Sequence, residues 1–490
     1  MHIIDWLILA LYFTLLIGIG GWAYLRVHNS ADFFTAGGKL PWWLTGVSHH
    51  VSGYSGAVFV AYAGVAYTHG FSLYIWWACA VALATLVSAF IIAPRWSKLR
   101  EKTGIQSPTE YLAIRYNIPT QQMLAWSGVI VKIFDVGAKW AAIAILLHVF
   151  AGTSLLTGIL LAGCVSMIYS VLGGLWADVL NDFAQFLVQL VAGFTMFFIV
   201  LNNLGEGLGG ILTLWDRLPE SHSNPFNPPY TIAFVMTMIV IDFFSYSGGT
   251  WHLATRFMST SSGKQAKKAA FLSSALYLLW PLVLFFPMFA APVFLKDLAD
   301  PTQAYGLIAL KFLPVGLIGL VLASLFTNTL SMTSSDSNTI SAVITRDIIP
   351  QFFPGIRELE RKKFLIIARV STFLFTLATV IIAIYAESFG GVFGLIITWF
   401  AAQLGPTSVP MILGLLPWFA RSDSRTAIIS VICGVAAFVI LKIFGPFALT
   451  IEVATPLSIT LTIYVLMGLL SQRAVPEKAQ KLLDSLYKES

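Results

Sequence analysis

Long apolar runs separated by short polar segments dominate the chain, and their lengths decide its class before any single residue does. Runs of about 20 residues recur, which is the length a helix needs to cross the hydrocarbon core. The strict alternation of a spanning barrel is missing. The runs predict an all-α polytopic membrane protein with about thirteen transmembrane helices, over 4–26, 41–67, 72–94, 122–150, 154–172, 178–202, 231–256, 270–294, 314–345, 364–385, 390–417, 427–443 and 451–471. The first run is longer than a signal-peptide core and lacks a small-x-small cleavage signal, so it is expected to be retained. No loop is long enough for a soluble domain, and residues 1–490 read as one transmembrane domain.

Three departures from the apolar pattern carry the functional signal. The segment Phe326 to Asp347 places Asn328, Ser331, Thr333, Ser334, Ser335 and Asp336 where an ordinary spanning helix carries Leu and Val. At helical spacing Asn328, Ser331 and Ser335 share one face, and hard oxygens so arranged suit a small dehydrated cation. Hydroxyls bonded back to their own helix, or close helix packing, are the alternative. The other two departures match each other. Val51-Ser-Gly-Tyr-Ser-Gly56 and Phe244-Ser-Tyr-Ser-Gly-Gly249 each interrupt an apolar run with Tyr-Ser-Gly. Interrupted helices at corresponding positions of two halves mark an inverted-repeat transporter with its solute held between the breaks; two helices with close-packing glycines are the alternative. The predicted core is a five-plus-five inverted repeat with two broken helices. It comprises a first repeat over 41–202 and a second over 231–417, with an extra N-terminal helix at 4–26 and two C-terminal helices within 427–471.

Composition agrees: 57% of residues are hydrophobic and 11% charged. The net charge of +6 would suggest nucleic-acid affinity if it formed a patch, but the cations sit in loops. Arg26, Arg95, Lys98, Arg100, Lys264, Lys267, Lys268, Lys362, Lys363 and the tail's Lys488 fall on one side, and the loops near 203–230 and 295–313 are acidic or mixed. The positive-inside rule then puts the N-terminus outside and the C-terminus in the cytoplasm of a multi-pass protein of the cell membrane, inner or plasma. Cys79, Cys164 and Cys433 stand singly in apolar runs and read as small hydrophobes.

Charges at membrane depth are functional candidates by default. Lys132, Asp135 and Lys139 have i, i+3 and i+4 spacings that let the aspartate pair with a lysine on its own helix face. Asp182 needs a proton or a cation if buried, as does Asp336, and Asp242 stands just before the second interruption. No metalloprotease or paired-cysteine motif accompanies His49 and His50, and no enzyme activity is expected.

In order and spacing, several segments resemble the sodium:solute symporter family: Ala31-Asp-Phe-Phe-Thr-Ala-Gly-Gly38, Pro41-Trp-Trp43, Gly174-Leu-Trp176 with Asp182, Arg256-Phe-Met258, Asn338 to Asp347, and Gly405-Pro406. The resemblance implies the inverted-repeat fold of the amino-acid transporter type and alternating access driven by sodium. It implies a main sodium site at Val51, Tyr54, Asn328 and Ser331. The last family ligand falls on Met332, a thioether that suits sodium poorly, so Thr333 or water would complete the shell. Asp182, Ser334 and Ser335 match a second sodium site that some family members carry. Sodium is the only metal implied, as coupling ion, with no cofactor. Gly53, Ser55, His50, Asp135, Lys139, Ser247 and Trp251 are the candidate solute contacts. The function so implied is a sodium-coupled symporter importing a small polar organic solute, with a leaning to a sugar or polyol. A proton-coupled symporter of the same fold, or a sodium symporter for a monocarboxylate, amino acid or other zwitterionic or cationic solute, remains open. The expected partners are the solute, sodium and the lipid bilayer; neither nucleic acid nor an obligate protein partner is expected.

Overall fold

The protein is seen in a computed structural model that describes residues 2–25, 27, 29–389, 391–399, 401 and 404–487. Arg26 and Lys488, two of the expected inner cations, lie outside the described residues. Among those described, the only β-pairings are the isolated bridges Leu40 to Thr260 and Asn227 to Tyr230. The chain is all-α, as its apolar runs require.

Nine helices among the described residues are long and apolar enough to cross a membrane, or ten if the bent pair Ile118–Ala151 and Leu155–Cys164 counts as one span. The difference from about thirteen has a physical source. The run 41–67 is divided into Trp42–Val51 and Ala61–His69; a half of nine or ten residues rises only about 15 Å, so neither half spans alone. Of the run 390–417 the helices Gly391–Trp399 and Gly405–Leu413 are described, and residues 390, 400, 402 and 403 lie outside the described residues. The runs 154–172 and 178–202 are joined as Leu155–Leu204, with a kink at Gly174, φ 56° and ψ −173°.

The centre of the bundle is the Ser-rich helix Leu317–Val343. It packs against Leu155–Leu204, Ile118–Ala151, Arg361–Ile384 and the N-terminal helix Ile3–Tyr24. Most of its apolar window, 88%, is buried in protein, against 39% for Lys362–Ile384, so it faces side chains rather than lipid. Its start is fixed by Asp5 of the N-terminal helix, whose Oδ1 accepts the backbone N–H groups of Gly316 at 2.7 Å and Gly319 at 2.9 Å. A carboxylate at a helix N-terminus satisfies orphan donors and meets the positive end of the dipole.

Both interruptions predicted from the sequence are present. After Val51 the first helix opens through Ser52 to Ser55 before a short 3-10 turn at Gly56–Phe59. The second, Ile232–Phe244, passes into a wide turn at Ser245–Gly249 and restarts as His252–Met258. Gly248 at φ 118° and Trp251 at φ 68° reverse the backbone between them, a conformation that glycine adopts readily and tryptophan only under constraint.

Candidate functional site

Breaking a helix inside a membrane frees carbonyls that water cannot reach, so each needs a partner. In the first break most partners come from the second broken helix and the helix after it. The Tyr246 hydroxyl donates to Gly53 O at 2.8 Å, and His252 Nε2 meets Ser52 O at 3.0 Å. The Tyr277 hydroxyl donates to His49 O at 2.9 Å. The second break is satisfied by Trp96 Nε1, which donates to Ser247 O at 2.8 Å. Gly53 is required at this junction, because a Cβ there would stand 1.6 Å from the Tyr277 hydroxyl oxygen. The two breaks thus close on each other.

In the first break two carbonyls are left out of this bonding. Among the described residues no hydrogen bond reaches the carbonyl oxygen of Val51 or of Tyr54. Between them, Ser52 Oγ lies 3.3 Å from Ser331 Oγ and 3.5 Å from Ser335 Oγ, which sets the first break against the Ser-rich helix. Asn328 is fully buried there with neither its amide nitrogen nor its oxygen bonded. Thr333 turns its hydroxyl back onto its own helix, donating to Thr329 O at 2.7 Å. Met332 stands at the edge of the solute cavity described below.

Below this lies a fully buried ionic cluster. Arg256 Nη2 is 2.7 Å from Asp178 Oδ2 and 3.2 Å from Asp182 Oδ2, and it also donates to Ser52 Oγ at 3.1 Å and to Ser335 Oγ. Ser48 and Ser331 donate to Asp182, and Ser335 donates to Asp178 at 2.7 Å. Asp178 Oδ1 accepts no hydrogen bond among the described residues. Of the proposed second sodium ligands, Asp182 and Ser335 therefore meet on the guanidinium, while Ser334 is buried and makes no side-chain bond to Asp182. Asp178 and Arg256 are not among the site residues expected from the sequence; the signal for them is an arginine and two aspartates on apolar helices, each of which needs a partner when buried.

A second network closes the other side. Asp135 Oδ2 is 2.8 Å from Lys132 Nζ and 2.9 Å from Lys139 Nζ, which is the pairing the i, i+3 and i+4 spacings predict. Asp336 joins from the Ser-rich helix with oxygens 2.6 Å from each lysine and 2.7 Å from His252 Nδ1. All five side chains are buried.

Between the networks and the breaks is a cavity of about 60 Å³. Gly53, Ser55, Asp135 and Lys139 of the expected solute contacts line it, together with Tyr54, Tyr246 and His252. His50, Ser247 and Trp251 are not among its described lining residues. His50 instead packs on Tyr277, with ring centroids 4.7 Å apart, and receives the Tyr54 hydroxyl on Nε2 at 3.1 Å. Trp251 is held inside the second break by its reversed backbone. Among the described residues no group of His, Cys, Asp and Glu is arranged to hold a transition metal.

Comparison with known proteins bears on the family and the fold. A profile of the Sodium:solute symporter family matches residues 33–434. The sodium/glucose cotransporter of Vibrio parahaemolyticus is 24% identical over 479 residues, covering 90% of this chain and 86% of that protein. The sodium/sialic acid symporter NanT of Aliivibrio fischeri is 23% identical over 454 residues, covering 88% and 86%. A solved structure of a sodium-coupled sialic acid symporter, in a substrate-bound outward-open state, superposes with a TM-score of 0.83 at 19% identity and covers 97% of this chain and 99% of that one.

Proposed function

The chain belongs to the sodium:solute symporter family, whose members are transporters, and on that premise we propose that it imports a small polar organic solute together with sodium across the cell membrane, with its N-terminus outside and its C-terminus in the cytoplasm. No chemical conversion of the solute is part of this reading. The observation that carries it is the pair of carbonyls on Val51 and Tyr54 that no hydrogen bond reaches among the described residues, in a break whose Ser52 Oγ lies 3.3 Å from Ser331 Oγ, with the buried Asn328 amide unbonded one turn earlier on the same helix. Buried acceptors without donors are costly, and a sodium ion is the ligand that removes the cost of carbonyl and hydroxyl oxygens at once. Thr333 is engaged with its own helix, which favours water over Thr333 as the remaining ligand. Bound sodium would tie the broken helix to the Ser-rich helix and so bias the protein toward the outward-open state, which is linkage between two sites.

A second sodium at Asp182 is supported by charge. Asp178 and Asp182 share the single guanidinium of Arg256, which leaves one negative charge uncompensated at membrane depth. For the solute we favour a sugar or polyol, since the polar residues Ser55, Thr250 and His252 line the cavity beside the aromatic Tyr54, Tyr62 and Trp77 and two sodium-coupled relatives are named for glucose and sialic acid. Asp135 and Lys139 both line the cavity as well, and that observation favours a zwitterionic solute as the second reading.

Thermal unfolding of the detergent-purified protein across sugars, polyols, amino acids and monocarboxylates, each in sodium and in choline, tests the proposal. A solute that stabilises only in sodium is the expected result; stabilisation indifferent to sodium would point to proton coupling. Ser331→Ala is expected to raise the half-maximal sodium concentration about tenfold, the loss of roughly 1.4 kcal/mol of ligation. An unchanged sodium titration would remove Ser331 from the site. In Asp182→Asn the sodium-to-solute flux ratio is expected to fall, and a ratio equal to that of the wild type would count against the second ion.

A further inference from the structure

The ionic clusters leave one buried carboxyl group unexplained. Asp242 lies in the helix Ile232–Phe244 just before the second break, is 1% exposed, and neither of its oxygens has a hydrogen-bond partner among the described residues. Ser245 and Tyr246, three and four residues on and therefore on the same helix face, both line the solute cavity. Asp242 itself does not line it. The titratable groups near enough to feel its charge are the phenols of Tyr62, Tyr246 and Tyr277. The elements packed most closely on its helix, Tyr74–Cys79, Ala80–Ile91, Gly405–Leu413 and Leu449–Leu470, add Tyr74, Cys79, Glu452 and Tyr464 and hold no Lys, Arg or His.

A lone carboxylate at this depth, with neither a counter-ion nor a donor, is too costly to keep its charge. Three ligands could remove that charge, and geometry separates them. A solute cation would have to reach a side chain outside the cavity wall. A sodium ion demands a shell of about six oxygens, and the elements packed on this helix are built mostly of apolar side chains. A proton needs no shell. We infer that Asp242 is a proton-binding site of the transport cycle, holding a proton in the state seen here and giving it up when sodium parts the two breaks toward the outside. The proton then passes from the carboxyl oxygen to the entering water and leaves a hydrated carboxylate. This step rests on the proposed sodium linkage, whereas the resting proton does not.

Two measurements on the full-length purified protein separate those claims. Infrared spectra at neutral pH are expected to show a buried carboxylic-acid carbonyl band that Asp242→Asn lacks and Asp242→Glu retains at a shifted frequency. Sodium titrations followed by thermal unfolding, at several pH values, are expected to show the half-maximal sodium concentration falling as pH rises, by up to about tenfold per pH unit, the limit for one linked proton. That slope should be shallower in Asp242→Asn than in the wild type and keep its full steepness in Asp242→Glu, the part that Asp182 contributes being common to all three. An identical acid band in wild type and Asp242→Asn, or a pH slope equally steep in both, overturns the inference. If sodium stabilises none of the three proteins, the sodium reading fails and the infrared band alone decides the fate of Asp242.

Discussion

Asp336→Asn is expected to lower stability by about 3–5 kcal/mol, the cost of removing one partner from a buried charge network, and to abolish transport. The carboxylate lies 2.6 Å from both Lys132 and Lys139 and also meets His252. Without it, two ammonium groups share only Asp135, and a net positive charge is stranded in the bundle. The residue also joins the Ser-rich helix to the fourth predicted span and, through His252, to the carbonyl of Ser52 in the first break. Its loss therefore disturbs the cavity wall and the proposed sodium site together. The measurement is thermal unfolding in detergent of Asp336→Asn beside the double variant Lys132→Met/Asp336→Asn. The double variant keeps one lysine for one aspartate and should recover most of the midpoint, because Lys139 and Asp135, 2.9 Å apart, still balance each other. If the single variant unfolds with the wild type, the network does not depend on its charge balance.

The contrast between Asp135 and Asp336 shows what a sequence makes legible. Spacing along one helix fixed the contacts of Asp135, since i+3 and i+4 neighbours meet wherever a helix forms. The contacts of Asp336 depend on which helices pack together, and no local period encodes that. The two breaks were legible for the same local reason, because glycine and serine inside apolar runs weaken the helix at those positions. That the breaks face each other, with Tyr246 and His252 bonding the carbonyls of Gly53 and Ser52, is a tertiary fact. Asp5 of the first span likewise caps the Ser-rich helix across more than 300 residues of chain, a contact that no local period encodes. His50 and Trp251 were drawn into the candidate solute set by their nearness to the breaks in sequence. In the fold, nearness to a break places a side chain beside the cavity or behind its wall with equal ease.

Arg256→Met is the complementary case, expected to destabilise the protein by a similar 3–5 kcal/mol in choline and distinctly less in sodium. The guanidinium is fully buried and holds Asp178, Asp182, Ser52 and Ser335 together. Replacing it with an apolar chain of similar length keeps the packing but leaves two carboxylates facing each other without a fixed cation. Their repulsion is relieved only by protons or by a mobile cation, and Ser48, Ser52 and Ser331 already surround Asp182 with hydroxyl oxygens. A sodium ion that binds only the folded state adds stability that grows with concentration, about 2.7 kcal/mol at a hundred times its dissociation constant. The sodium-induced rise in unfolding midpoint should therefore be larger in Arg256→Met than in the wild type. Asp182→Asn introduced beside it should remove the excess, because one carboxylate is then gone. An equal loss of stability in sodium and choline would mean that this cluster is a structural ion pair alone, and that the protein couples its solute to the ion at Val51, Tyr54 and Ser331 without a second.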